Sequence, residues 1–205
     1  MSINLSSTDN VGNMDNIERH PLKPFLPKNA RLLMLGSFPP PKHRWSFDFF
    51  YPNRSNMMWE IFGLVFFGNS QRLVDAPNKT FRMEDIKALL EERGIAIFDT
   101  ACAVRRLSGN ASDKDLEIVE KTDIPLLLSQ IPLCHGIVCT GQKSFSVLTE
   151  NYGVPIPTMG TYNEFTLAER PMRLWRMPSS SRAFPMKLEE KATYYREMMQ
   201  TIGLL

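Results

Sequence analysis

The chain has 205 residues, of which 43% are hydrophobic, 22% are charged and 10% are aromatic. This length and composition predict a single globular domain and exclude a collagen-like chain, a low-complexity polymer and a coiled-coil rod. The formal net charge is only +2, so overall charge does not by itself indicate a nucleic-acid partner.

Signals for targeting, disulfides and metal binding are missing from the sequence. No apolar run approaches the roughly 18 residues of a membrane span, and the first residues, MSINLSSTDNVGNMDN, do not resemble a signal peptide. The three cysteines, Cys102, Cys134 and Cys139, lack CxxC spacing, which argues for a reducing compartment. The three histidines lack the spacing of metal ligands. We therefore expect a cytoplasmic monomer with no metal, no cofactor and no membrane partner.

The first part of the chain predicts a tail followed by buried strands. Residues 1–19 are mostly Ser, Asn, Asp and Thr and predict a flexible tail, which leaves residues 20–205 as one domain. Three short apolar runs, at 31–36, 94–99 and 136–141, predict buried strands. Continuous apolar strands are typical of a parallel sheet that is covered on both faces.

Helical patterns lie between these strands. Residues 82–93 carry apolar side chains at helical spacing, and Gly94 is a stop signal. Residues 115–131 predict one or two helices interrupted at Pro125, and residues 142–152 predict another helix. The alternation of strands and helices predicts a three-layer α/β/α sandwich with a short, mainly parallel central sheet.

The last part of the chain predicts two strands and a helix. Residues 166–167 and 172–177 flank a predicted turn, and a final helix is expected over 186–202. In a sheet of this kind, ligands bind beyond the carboxyl ends of the strands. We expect the chemistry in the three segments that leave those ends, which are residues 36–56, 99–112 and 177–185.

Two of these segments have a composition suited to nucleic acid. Residues 36–59 interleave basic and aromatic side chains, which suits a phosphate backbone and stacked bases, although an aromatic cap on the core is an equal alternative. Residues 177–185 (MPSSSRAFP) place three serines before a helix, where hydroxyls and backbone N–H groups can grip phosphates. Taken alone, this second segment is more typical of a capped helix N-terminus.

Four segments, LMLGSFPP, YPNRSNMMW, IVCTGQKSF and RMPSSSRAFP, follow one another along the chain. Their order and spacing resemble the motifs of the uracil-DNA glycosylase superfamily. The segments HPLKPFLPKNARLLMLGSFP and DTACAVRR look most like the hypoxanthine-DNA glycosylase branch, whereas RMPSSSRAFP is similar to the serine motif of thymine-DNA glycosylase. The resemblance implies the three-layer fold named above. It also implies a monofunctional enzyme of base-excision repair, whose partner is DNA that contains a deaminated base, hypoxanthine or uracil.

The resemblance also implies roles for individual residues. Asn56 matches a polar residue that positions the attacking water, and Asp99 is a second catalytic candidate because it is the carboxylate at a strand end near the site. The cap of a helix N-terminus or a brace for a loop is the alternative role for Asp99. The expected base-binding residues are Gly36, Ser37, Phe38, Pro39 and Tyr51. The expected DNA-binding residues are Arg173, Ser179, Ser180, Ser181 and Arg182.

One position departs from the motif. Phe38 stands where many members carry a catalytic Asn or Asp, and phenylalanine cannot orient or deprotonate water. A catalytically weak or inactive relative that binds DNA or nucleotide is therefore a second hypothesis, and a hydrolase of free nucleosides is a third.

Overall fold

The computed structural model describes residues 17–107 and 115–205. The strands, in chain order, are β1 (Ile17–Arg19), β2 (Leu32–Gly36), β3 (Val74–Asp75), β4 (Thr80–Phe81), β5 (Ile95–Asp99), β6 (Ala101–Arg106), β7 (Leu116–Lys121), β8 (Gly136–Cys139), β9 (Tyr162–Leu167) and β10 (Arg170–Arg176). The helices are α1 (Met58–Phe67), α2 (Met83–Arg93), α3 (Ile124–Gln130), α4 (Gln142–Tyr152) and α5 (Leu188–Ile202), and a 3-10 helix spans Lys42–Arg44.

A five-stranded sheet with the order β5-β2-β8-β10-β9 forms the centre of the fold. Its first four strands are parallel, and β9 pairs antiparallel with β10 at one edge. The three predicted apolar strands are confirmed as β2, β5 and β8. Leu32, Leu33, Met34 and Leu35 of β2 are all completely buried, so both faces of this strand are covered. The predicted class, a mainly parallel central sheet with flanking helices, is confirmed.

A second sheet, with the order β1-β6-β7, was not predicted. The prediction of helix from residue 115 was wrong, because residues 116–121 (LEIVEK) form β7, with Leu116 packed against Ala101 and Val104 of β6. In the strand, Leu116 is buried and Ile118 half-buried while Glu117 and Val119 are exposed, an alternation that the residue types alone do not show. Helix α3 begins only at Ile124, after Asp123, whose side chain accepts a hydrogen bond from the Leu126 N–H at 2.9 Å.

The new sheet also changes two predicted boundaries. Residues 99–112 were expected to be a loop, but β6 occupies 101–106, and residues 108–112 lie outside the described part of the chain. Ile17–Arg19, assigned to the flexible tail, form β1 and pair antiparallel with β6. The folded domain therefore includes at least these three residues, while residues 1–16 lie outside the described part.

Helix α1 fixes the long aromatic segment that follows β2. Its Trp59 is completely buried and donates a hydrogen bond from Nε1 to the Phe50 carbonyl at 3.1 Å. Phe49 and Phe50 are also buried, so much of the aromatic character of residues 36–59 belongs to the core, as in one of the two alternatives. Within residues 17–107 and 115–205, no helix is both long and apolar enough to cross a membrane.

Candidate active site

A cleft of about 710 Å³ lies at the carboxyl edge of the central sheet. It is bounded by residues that follow the ends of β2, β8 and β10, by the last residue of β5, and by the segment that leads into α1. Parallel strands bring their carboxyl ends to one edge, which explains why segments far apart in sequence meet here. Most of the residues predicted for the site line this cleft: Gly36, Ser37, Phe38, Pro39, Tyr51, Asn56, Asp99, Ser179, Ser180 and Ser181.

Gly36, Asp99 and His20 form what we call the cleft floor. Gly36 and Asp99 are paired across β2 and β5, and a Cβ atom on residue 36 would lie 2.3 Å from Asp99 Oδ1. Only glycine fits at position 36 while the carboxylate keeps this place. Asp99 is 8% exposed, and its Oδ2 lies 2.9 Å from Nε2 of His20. Among the described residues no backbone N–H donates to the Asp99 carboxylate, so the contact with His20 defines its setting rather than a helix cap.

Asn56 is held between α1 and the loop after β10. Its Oδ1 accepts a hydrogen bond from the Met58 N–H at 2.9 Å, which satisfies a free donor at the start of α1. Its backbone forms an antiparallel bridge with Ser181. Within the described chain no protein acceptor contacts the amide Nδ2, and one lone pair of Oδ1 remains for a ligand or water. The amide is therefore rigidly oriented and still has a donor and an acceptor for the cleft.

Tyr51 has a strained backbone at the edge of the cleft. Its φ of 50° lies in the left-handed region, which a bulky residue rarely adopts. The ring packs edge-on against Trp59, with the centroids 5.9 Å apart, and the hydroxyl pairs with Thr140 Oγ1 at 3.3 Å. Burial raises the pKa of the Tyr51 hydroxyl well above its usual value, so the phenol stays protonated. The ring is thus a fixed, neutral surface beside the cleft.

Phe38 lies both in the cleft wall and in the small core beneath it. It is 8% exposed and packs with Ala101, Val104 and Leu116. Its ring meets the His20 imidazole edge-on, with the centroids 5.3 Å apart. Phe38 therefore covers the His20 side of the cleft floor, which sequence reasoning did not foresee.

The loop after β10, residues 178–183, is called the serine segment below. Helix α5 supports it from beneath, since Lys191 Nζ donates to the Ser181 carbonyl at 2.7 Å and the Tyr195 hydroxyl donates to the Pro178 carbonyl at 3.2 Å. The segment also accepts a hydrogen bond from the Met57 N–H at the Ser180 carbonyl, at 2.8 Å. These contacts fix its backbone, with Ser179 and Ser181 partly exposed and Ser180 buried.

The two predicted DNA-binding arginines are not in the cleft. Arg182 follows the serines on the rim, and its guanidinium pairs with Glu60 at 3.1 Å. Arg173 lies opposite Gly136, at the amino end of β8, and pairs with Glu164 at 3.3 Å. Because β8 and β10 are parallel, Arg173 is near the edge of the sheet away from the cleft.

Several cleft residues were missed by sequence reasoning. Thr140, Gly141 and Gln142 follow the carboxyl end of β8, so the strand-end rule that selected the other segments applied to them as well. Arg44 also lines the cleft. His20 had no local signal, because its partner Asp99 is 79 positions away. In the described parts of the chain, no three His, Cys, Asp or Glu side chains are grouped in a way that could hold a metal ion.

Comparison with known proteins gives a likeness in fold. No protein-family model and no curated protein sequence matches the chain. Among solved structures, it is similar to the solution NMR structure of a candidate uracil DNA glycosylase from Methanosarcina acetivorans, with a TM-score of 0.59 and 21% sequence identity. The alignment covers 89% of this chain and 98% of that protein, so the likeness extends over nearly the whole fold.

Proposed function

We propose that this protein is a monofunctional DNA glycosylase that hydrolyses the N-glycosidic bond of a deaminated base, hypoxanthine or uracil. The observation that carries the proposal is the meeting of Asp99, Asn56 and the serine segment in one cleft. The similarity in fold to a candidate uracil DNA glycosylase supports the same class of reaction. The substrate partner is DNA, and the role belongs to DNA repair by base excision.

The cleft has the parts that such a reaction needs. A base inside a duplex is out of reach, so it must be flipped into a pocket, where the Tyr51 ring offers a stacking surface. Gly36, Ser37, Phe38 and Pro39 bound the same pocket and would contact the flipped base. The serine segment on the rim would hold backbone phosphates through its exposed hydroxyls. Arg182 would add charge on the rim if it exchanges Glu60 for a phosphate.

The chemical step requires a water molecule and a place for its proton. The water oxygen bonds to C1′ of the sugar as the bond from C1′ to the base nitrogen breaks, and the electron pair leaves with the base. Asp99 accepts the proton that the water gives up, and Asn56 orients the water through its free lone pair. The negative charge of Asp99 also favours the positive charge that develops on the sugar.

A substrate panel tests this proposal. Single-turnover cleavage is measured on duplexes that carry hypoxanthine, uracil or xanthine at one position, with an undamaged duplex as control. Cleavage of at least one deaminated base with the undamaged duplex intact supports the proposal. Tight duplex binding without cleavage would instead support an inactive DNA-binding relative, and cleavage of free nucleosides in preference to duplex would support a nucleoside hydrolase.

A further inference from the structure

His20 is a buried histidine whose ring is fixed at both nitrogens. Its side chain is only 4% exposed, and its Nε2 lies 2.9 Å from Asp99 Oδ2. Its Nδ1 lies 2.9 Å from the carbonyl oxygen of Leu22 and 3.2 Å from the Leu22 backbone nitrogen. The backbone N–H of His20 donates to the Cys102 carbonyl at 2.8 Å, which ties the residue to β6.

The hydrogen bonds of the His20 ring show that Nε2, the nitrogen next to the Asp99 carboxylate, carries a proton. An ionised carboxylate only accepts hydrogen bonds, so Nε2 must carry a hydrogen whenever Asp99 is ionised. In the neutral ring, Nδ1 then accepts from the Leu22 N–H, and in the imidazolium it donates to the Leu22 carbonyl. Leu22 provides a partner for both forms, and in both of them Nε2–H donates to Asp99 Oδ2.

The hydrogen bond from His20 makes the two oxygens of the Asp99 carboxylate different, because one is bound and the other is free. Oδ2 is bound by His20, whereas Oδ1 lies against Gly36 and contacts no donor among the described residues. Asp99 lines the cleft, so Oδ1 is the oxygen left for a ligand there. Phe38 and Phe98 pack on the imidazole, with ring centroids 5.3 and 4.6 Å away, and limit its movement.

We infer that His20 is the positioning residue of the active site, which holds the Asp99 carboxylate with Oδ1 aimed into the cleft. The inference rests on the proposed function for the identity of the reaction. A buried carboxylate without a donor is costly and turns toward any available partner. Without the His20 donor, the Asp99 carboxylate loses the contact that orients it, so the effect on the reaction passes through Asp99.

A double-mutant cycle with Asp99→Asn tests this inference. His20→Phe removes the donor and keeps a ring of similar size, whereas His20→Gln places an amide N–H near the position of Nε2. We expect His20→Phe to lower the single-turnover rate by about 10- to 100-fold, as for other partners that orient a functional side chain. His20→Gln should recover most of that rate. In the Asp99→Asn background, His20→Phe should change the rate less than about twofold, because the partner through which it acts is gone.

A binding measurement tests the orientation of Asp99 by His20 without catalysis. One duplex carries a cationic pyrrolidine in place of the target nucleoside, and a second carries the neutral tetrahydrofuran analogue. An oriented carboxylate should favour the cationic duplex by about tenfold or more. The preference should fall in Asp99→Asn and in His20→Phe, and the double variant should fall no further. His135→Phe changes a histidine outside the cleft and is the matched control for folding and binding, with melting temperatures measured for all variants.

The outcomes separate the two claims. Additive losses of rate in the cycle, or an unchanged preference for the cationic duplex in His20→Phe, would overturn the role of His20 while leaving the glycosylase intact. A wild-type protein that neither cleaves nor binds any of these duplexes would overturn the proposed function itself.

Discussion

The cleft floor and the serine segment belong to the same cleft but are held in different ways. The floor depends on side chains: the Asp99 carboxylate meets the His20 ring, and it needs the missing Cβ of Gly36. The serine segment depends on backbone carbonyls that Met57, Lys191 and Tyr195 bind. Substitutions in the floor should therefore damage the chemical step, whereas substitutions under the serine segment should shift its position and weaken DNA binding.

Gly36→Ala should give the largest effect, because it forces a Cβ atom into the place of Asp99 Oδ1. We expect the single-turnover rate on the preferred damaged duplex to fall by about 1000-fold, within the range for losing a positioned acid-base group. Gly136→Ala is the matched control, since it adds a Cβ in β8 at the opposite end, where the nearest atom is a flexible Leu32 methyl 3.3 Å away. Equal losses of rate in both variants would mean that the glycine matters for folding rather than for Asp99.

Asn56→Ala should rank second and should separate chemistry from binding. Loss of the oriented amide should lower the single-turnover rate by about 100-fold, with a much smaller change in affinity for damaged DNA. The loss of the hydrogen bond to the Met58 N–H should also cost about 1 kcal/mol of unfolding free energy. Kinetics at saturating enzyme and urea denaturation measure the two effects.

Asn69→Ala is the control for the loss of stability expected in Asn56→Ala. Asn69 Oδ1 accepts a hydrogen bond from the Gln71 N–H at 2.9 Å, the same local pattern as in Asn56, but outside the cleft. We expect a similar change in stability and a wild-type rate. A full rate in Asn56→Ala, whatever its change in stability, would remove Asn56 from the mechanism.

Lys191→Met should affect the serine segment alone. The lysine is completely buried, and its ammonium donates to the Ser181 carbonyl, so a methionine of similar length removes one hydrogen bond. We expect duplex affinity to fall by about three- to tenfold, with little change in the rate at saturating enzyme. Lys187→Met, at the exposed start of the same helix, should leave affinity nearly unchanged. A loss of rate at saturating enzyme would show that the two regions are coupled.

The smallest expected effect concerns the two arginines. If Arg182 meets one phosphate, Arg182→Ala should lower the slope of log affinity against log salt by about one unit, as measured by duplex titrations at several salt concentrations. Arg173→Ala should leave the slope unchanged, because Arg173 lies near the edge of the sheet away from the cleft. A change in slope for Arg173 and none for Arg182 would place the DNA on another surface.

Local patterns predicted the central sheet but not the second one. The strands β2, β5 and β8 are short, continuous apolar runs, and such runs are typical of buried strands in a parallel sheet. The strand β7 (LEIVEK) is short, half-exposed and rich in glutamate, so its pattern resembles a helix face as well as a strand. What decides its structure is pairing with β6, which no local pattern encodes.

The residues of the candidate site also fall into two groups, those that the sequence pattern predicts and those that depend on distant contacts. Residues at the carboxyl ends of parallel strands, such as Gly36 and Asp99, could be predicted because topology alone brings them together. His20 could not, since it enters the cleft floor through a contact across 79 positions. Arg173 was predicted to bind DNA from its charge alone, whereas its position opposite Gly136, the first residue of β8, puts it near the other edge of the sheet.

The cleft can support catalysis only while residues 20–27 stay attached to the rest of the fold. His20 and Phe25 bind this stretch to the rest of the fold through backbone hydrogen bonds to Cys102 and Ile97. A brief detachment of this stretch would leave the central sheet folded and still withdraw the donor from Asp99. Such partial openings occur far more often than complete unfolding. Activity should therefore decline at lower denaturant concentration than the signals of the core, and amide exchange at positions 20 and 25 should report the loss.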